Sequence, residues 1–191
     1  MKILVIDDKA THLAAAKAQL GDHELTTAQS YDDGLAAIRG TRNRAKPWEY
    51  ENAGQFDAVL VDLLMPASNE SQGPEGYEHV GKEMPVGIFL ALLAAQKGAK
   101  YVAVLTDSSH HDHPASACFD AFNKHEGSPT PFMVAGAKVI LCNDRNLVCR
   151  YDPSNLAEPL EYDQYKDRSD TVRAKDWKSL LDLLLDPPST E

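Results

Sequence analysis

Two apolar runs that stop at acids dominate the pattern of this chain. Ile3-Leu4-Val5-Ile6 ends at Asp7-Asp8, and Ala58-Val59-Leu60-Val61 ends at Asp62. Neither run alternates, which is the pattern of a strand buried on both faces of a parallel sheet. Pro66 prevents the second strand from simply continuing, because proline has no amide hydrogen to give a neighbour. Three further strands are predicted: the Thr-rich Glu24 to Ala28, Tyr101 to Leu105 before Thr106-Asp107, and Val139 to Cys142 after Gly136-Ala137.

Helical spacing fills the intervals. Leu13, Ala16 and Leu20 share a face, and Gly21 closes that helix. Ser30 with Asp33 is a capping-box-like start leading into Leu35 and Ile38, with Gly40 at the end. Val86 to Lys97 carries Ile88, Phe89, Leu92 and Leu93 and stops at Gly98, and Pro114 suits the first turn of a short helix over 114–123. A last helix sets Trp177, Leu180, Leu181 and Leu184 on one face before Pro187-Pro188.

Residues 41–55, 67–84 and 144–175 are polar or rich in Pro and Gly and read as loop insertions, with Leu147 to Tyr151 readable as one strand of a hairpin. Five strand-helix pairs in alternation predict one α/β domain over 1–191. The expected architecture is a doubly wound, five-stranded parallel sheet, flavodoxin-like, in the order 2-1-3-4-5.

Composition narrows the classes. At 191 residues and 43% apolar content the chain has enough material for one proper core. A formal net charge of -10 argues against a nucleic-acid partner, because phosphate backbones repel such a surface. Arg39, Arg42, Arg44 and Lys46 form only a short basic stretch, read as a solvated loop. Cys118, Cys142 and Cys149 have neither a CxxC spacing nor an even count, so a reduced, cytoplasmic setting is expected and the cysteines are read as core residues. The first strand is predicted to begin at Lys2, so no signal peptide is expected, and no apolar stretch of the sequence is long enough to span a bilayer.

The polar residues collect at strand ends. In the expected order the first and third strands are neighbours at the topological switch point, which brings Asp7, Asp8 and Asp62 together, with Thr106 nearby. Mutual repulsion makes such a cluster costly unless a cation sits among the acids, and hard oxygen ligands suit Mg²⁺. The bland alternative for any one of these acids is a turn cap.

In this order the motifs resemble the receiver domain of two-component response regulators. The matching residues are Val5-Ile6-Asp7-Asp8, Asp62-Leu63-Leu64-Met65-Pro66 and Leu105-Thr106. The resemblance implies that Asp62 accepts a phosphoryl group from a histidine kinase or phosphotransfer protein. It implies Mg²⁺ held by Asp7, Asp8, Asp62 and the carbonyl of Leu64, and an acyl phosphate bonded by the Thr106 hydroxyl. It also implies a downstream protein partner. The family carries a lysine at the end of the fifth strand, where Asn143-Asp144 stand here, with Lys138 at that strand's start and Arg145 just beyond. The switch aromatic maps to Ile140, and Asp107 adds an acid after Thr106. Slow phosphotransfer is therefore expected.

Three functions compete: a stand-alone receiver, a pseudo-receiver that works by protein binding alone, and a Mg²⁺-dependent phosphohydrolase. The last fits poorly, since a haloacid-dehalogenase pattern wants an acid two residues after its nucleophile and Lys9 stands there. His110-His111-Asp112-His113 has the composition of a transition-metal tract, but adjacent residues rarely converge, so a loop role is expected. The sequence assigns no oligomeric state.

Overall fold

The computed structural model describes residues 1–42, 50–51, 53–68, 74–123, 129–143 and 147–186. Its centre is a six-stranded mixed sheet built from β1 (Lys2–Ile6), β2 (Glu24–Ala28), β3 (Ala58–Val61), β4 (Tyr101–Leu105), β5 (Phe132–Val134) and β6 (Ala137–Cys142), in the order β2-β1-β3-β4-β6-β5. All neighbours are parallel except β5, which pairs antiparallel with β6.

This corrects the expected sheet of five strands, all parallel. The sixth strand is made by a two-residue turn, Ala135-Gly136, in which both residues have positive φ. That is the backbone of a primed hairpin turn, whose twist matches the flanking strands. Gly136 takes this conformation freely, whereas Ala135 carries its cost.

Alternate side chains of each strand feed two cores. Leu4, Ile6, Val59 and Val61 face α2 (Tyr31–Arg39) and α3 (Gly87–Gln96). Ile3, Val5, Ala58 and Leu60 face α1 (Ala10–Gln19) and the last helix, Trp177–Leu185. The local signals behave as chemistry requires. Ser30 Oγ accepts from the amide of Asp33 at 3.1 Å and caps α2, and Gly40 ends it with φ 82°. The predicted helix over 114–123 is instead one short turn, α4 (Pro114–Ala117), followed by a 3-10 segment, Cys118–Phe122.

The inserted stretches hold more structure than their composition suggested. Met65–Pro66 pairs antiparallel with Glu83–Met84, and a 3-10 turn covers Pro74–His79 between them. Thr41–Arg42 pairs with Tyr50–Glu51, while residues 43–49 and 52 lie outside the described ones. Within 144–175 the hairpin strand read at Leu147 to Tyr151 is present: β7 (Val148–Tyr151) runs antiparallel to β8 (Val172–Lys175), whose residues were read as loop, with α5 (Tyr162–Tyr165) in between. β8 leads directly into α6 (Trp177–Leu185). Asp144, Arg145 and Pro187-Pro188 lie outside the described residues.

Candidate functional site

The carboxyl edge of the sheet gathers the polar strand ends. Ile6 lies opposite Val61 in register, so the acids that follow, Asp7 and Asp62, are carried side by side. Their backbones are fastened: the amide of Asp62 donates to Ile6 O at 2.8 Å, and that of Asp7 to Ala28 O at 3.1 Å. Thr106 is anchored the same way, its amide donating to Cys142 O at 3.1 Å. Asp7, Asp62 and Thr106 are all fully or almost fully buried.

One carboxylate oxygen from each of Asp7, Asp8 and Asp62 lies within 4.8 Å of the other two. The expected convergence of these three acids is therefore present. Leu64 is buried two residues past Asp62. The Thr106 hydroxyl accepts from the amide of Ser108 at 3.2 Å, which leaves its own proton available to donate.

A residue that sequence reasoning missed completes the site. Lys175, at the end of β8, is fully buried, with Nζ 2.6 Å from Asp7 Oδ2 and 2.6 Å from Asp62 Oδ1. An ammonium thus stands between Asp7 and Asp62, carried by β8 and not by the end of the fifth parallel strand of the sheet. Asn143 turns away: its side-chain amide faces Asp120 Oδ1 at 3.5 Å. Lys138 also points elsewhere, its ammonium donating to Asp186 O at 2.5 Å.

Lys175 is delivered by packing as well as charge. Gln19, on α1, donates through Nε2 to the carbonyl of Lys175 at 3.2 Å, to Leu156 O at 3.1 Å and to Tyr151 Oη at 3.1 Å. Its Oε1 accepts from the amide of Trp177 at 2.7 Å. The Trp177 indole N–H donates to His12 O at 2.9 Å, and the Lys175 ammonium lies 5.3 Å from the Trp177 ring centroid. One sequence signal was available: Lys175 lies two residues before Trp177, where the last helix begins, with Asp176 as its cap.

The electrostatics follow from two buried acids, Asp7 and Asp62, sharing one buried ammonium, with Asp8 beside them. Burial raises the Asp62 carboxyl to about 7; Lys175 opposes the rise and Asp7 adds to it. Burial alone would lower the Lys175 ammonium, yet Asp62 and Asp7 raise it above its ordinary value. Asp8 is raised by burial and by Asp7, and its Oδ1 is a buried acceptor without a hydrogen-bond partner among the described residues.

Asp107 does not add an unbalanced charge to the cluster. Its Oδ2 lies 2.6 Å from Lys9 Nζ and 3.4 Å from His12 Nε2. Hydrogen bonds from His12 and Lys9 hold its carboxyl well below the usual range.

The backbone beside Asp62 is set by α3. The amide of Gly87, the first residue of α3, donates to Leu63 O at 3.0 Å. A Cβ at position 87 would stand 1.8 Å from Asp62 O, so only glycine fits.

An unpartnered buried oxygen on Asp8, beside two acids that share a single ammonium, is a donor set suited to a hard divalent cation. Comparison of the chain with protein-family models, curated proteins and solved structures gave no match. The fold is an α/β sheet of six strands, mostly parallel, flanked by helices. Among the described residues no helix is long and apolar enough to cross a membrane.

Proposed function

We propose that the chain is a receiver-like signalling module of the cytoplasm in which Asp62 accepts a phosphoryl group. The observation that carries this reading is the contact of Lys175 with Asp62 and Asp7 at 2.6 Å each. It provides the ammonium whose apparent loss was the chief departure from the receiver pattern. An Asp62 oxygen would attack the phosphorus of a phosphohistidine on a kinase or phosphotransfer protein. The P–N bond would break and its electron pair would leave with the imidazole.

Lys175 would offset the charge that builds on the acceptor and phosphoryl oxygens, and the Thr106 hydroxyl would donate to one of them. Asp7, Asp8, Asp62 and the carbonyl of Leu64 would hold Mg²⁺, which supplies further charge neutralisation when bound. The acyl phosphate would alter docking to a downstream protein. Lys9, held by Asp107, leaves the phosphohydrolase reading without its second acid.

A second reading has one observation in its favour. Asp62 is only 1% exposed and its Oδ1 is occupied by Lys175, as in a pseudo-receiver that works by binding alone.

Intact-mass analysis after incubation with acetyl phosphate, with and without Mg²⁺, separates the two. A single added phosphoryl group that needs Mg²⁺ and vanishes in Asp62→Ala supports phosphotransfer. Asp8→Ala should then weaken Mg²⁺ binding at least tenfold. No labelling of a folded parent protein supports the binding module, and labelling that persists in Asp62→Ala rejects Asp62 as acceptor.

A further inference from the structure

The loop after β4 carries the tract His110-His111-Asp112-His113, and two of its imidazoles converge. His110 Nε2 and His111 Nε2 are 2.8 Å apart, with the rings inclined at 67° and their centroids 3.9 Å apart. The other nitrogen of His110 is oriented by a carboxylate, with Nδ1 2.6 Å from Asp120 Oδ2. With Nδ1–H donated to Asp120, Nε2 of His110 is the nitrogen that would carry the lone pair, and it is the one that lies beside His111 Nε2. Carboxylate-oriented imidazoles of this kind are the usual support of a metal-ligating histidine.

The loop is held in place independently of these contacts. The buried Ser116 hydroxyl donates to Ser108 O at 2.8 Å, and the amide of His111 donates to Ser109 Oγ at 3.1 Å. The amide of Ser109 donates to Asp112 Oδ2 at 3.2 Å. Asp120 is tied to the sheet through Asn143. Such prior fixation keeps the ordering cost of binding low. His113 is excluded, because its Nδ1 accepts from the amide of Ala115 and caps α4.

We propose that His110 and His111 form a transition-metal site, with Asp120 as the residue that positions His110. The 2.8 Å separation selects the geometry. With metal–nitrogen bonds of about 2.0 Å, two ligands at a right angle lie about 2.8 Å apart, whereas tetrahedral ligands lie about 3.3 Å apart. A cation that prefers square-planar or tetragonal nitrogen donors, Cu²⁺ or Ni²⁺, fits the pair better than Zn²⁺. His111 is exposed, so water completes the coordination and the ion exchanges readily. The site is separate in composition from the acids at Asp62 and does not depend on phosphotransfer there.

Titration of the full chain with Cu²⁺ against glycine as competing chelator, followed by electron paramagnetic resonance, tests the site. One Cu²⁺ per chain with two imidazole nitrogens in the plane is the expected result. His110→Ala and His111→Ala should each weaken binding at least tenfold. Asp120→Asn should weaken it about ten- to a hundredfold. His79→Ala should leave it unchanged, and circular dichroism checks that each variant is folded. Binding that is equal in His111→Ala and the parent would overturn the proposal, as would no binding beyond the glycine competition, which would mean that the two nitrogens merely share a proton.

Discussion

The ammonium of Lys175 stands 2.6 Å from Oδ1 of Asp62, although 113 positions separate the two residues. The same nitrogen is 2.6 Å from Asp7 Oδ2, 168 positions away. Three elements that enter the fold at different points, β1, β3 and β8, thus meet at one buried cation. The contact is an ion pair with almost no solvent around it, so its members depend on one another far more than surface charges do.

Removing that cation should cost stability. Lys175→Met leaves Asp7 and Asp62 buried face to face, and breaking a buried ion pair typically costs about 3–5 kcal/mol. Urea unfolding at pH 8, where the Asp62 carboxyl is ionised, should show a loss of that order. Adding Asp62→Asn to Lys175→Met should restore part of it, because one of the stranded charges is gone. A loss below about 1 kcal/mol in Lys175→Met would mean that the acids relax to water and that the pair does not organise the site.

Stability should also depend on pH through Asp62. Its carboxyl lies at about 7 in the folded state against 3.8 ordinarily, so the folded protein keeps a proton that the unfolded chain has released. Between these values unfolding releases that proton, and this group's contribution falls as pH rises from about 4 to about 7. Asp8, raised in the same direction, acts alike in its own range. The slope of unfolding free energy against pH should therefore be less negative in Asp62→Asn than in the parent. Equal slopes across this window would show that Asp62 titrates as an ordinary acid.

Gly87→Ala should disturb the acceptor without touching its chemistry. The new methyl would meet Asp62 O at 1.8 Å, so either α3 or the end of β3 must move. Overpacking of this kind costs about 1–3 kcal/mol. The melting temperature should fall, and labelling by acetyl phosphate should fall with it. Unchanged melting would mean that the helix shifts at negligible cost.

Asn143→Lys should not increase labelling. The receiver resemblance places its lysine at this position. Asn143 faces Asp120, however, and Lys175 already holds the position between Asp7 and Asp62. Initial rates with acetyl phosphate should agree within about twofold. A tenfold gain would show that Lys175 does not serve the phosphoryl group.

The sequence by itself determined the elements whose signals are local. Unbroken apolar runs with acids at their ends marked β1 and β3, because parallel strands are buried on both faces and ligands gather at their carboxyl ends. Serine at the start of α2 and glycine at its end were legible for similarly local reasons. The convergence of Asp7, Asp8 and Asp62 followed once β1 and β3 were taken as neighbours.

Tertiary structure decided the rest. β5 is three residues long, and its pairing rests on the Ala135-Gly136 turn rather than on any extended pattern. Val172-Arg173-Ala174-Lys175 looks like part of a polar loop, since its strand exists only through pairing with β7. Burial of Lys175 depends on Gln19 from α1 and on acids from two other strands. The meeting of His110 with Asp120 likewise depends on how the chain returns past α4. A charged side chain reads as exposed until its partners are placed around it, and those partners are fixed by long-range packing that no local window contains.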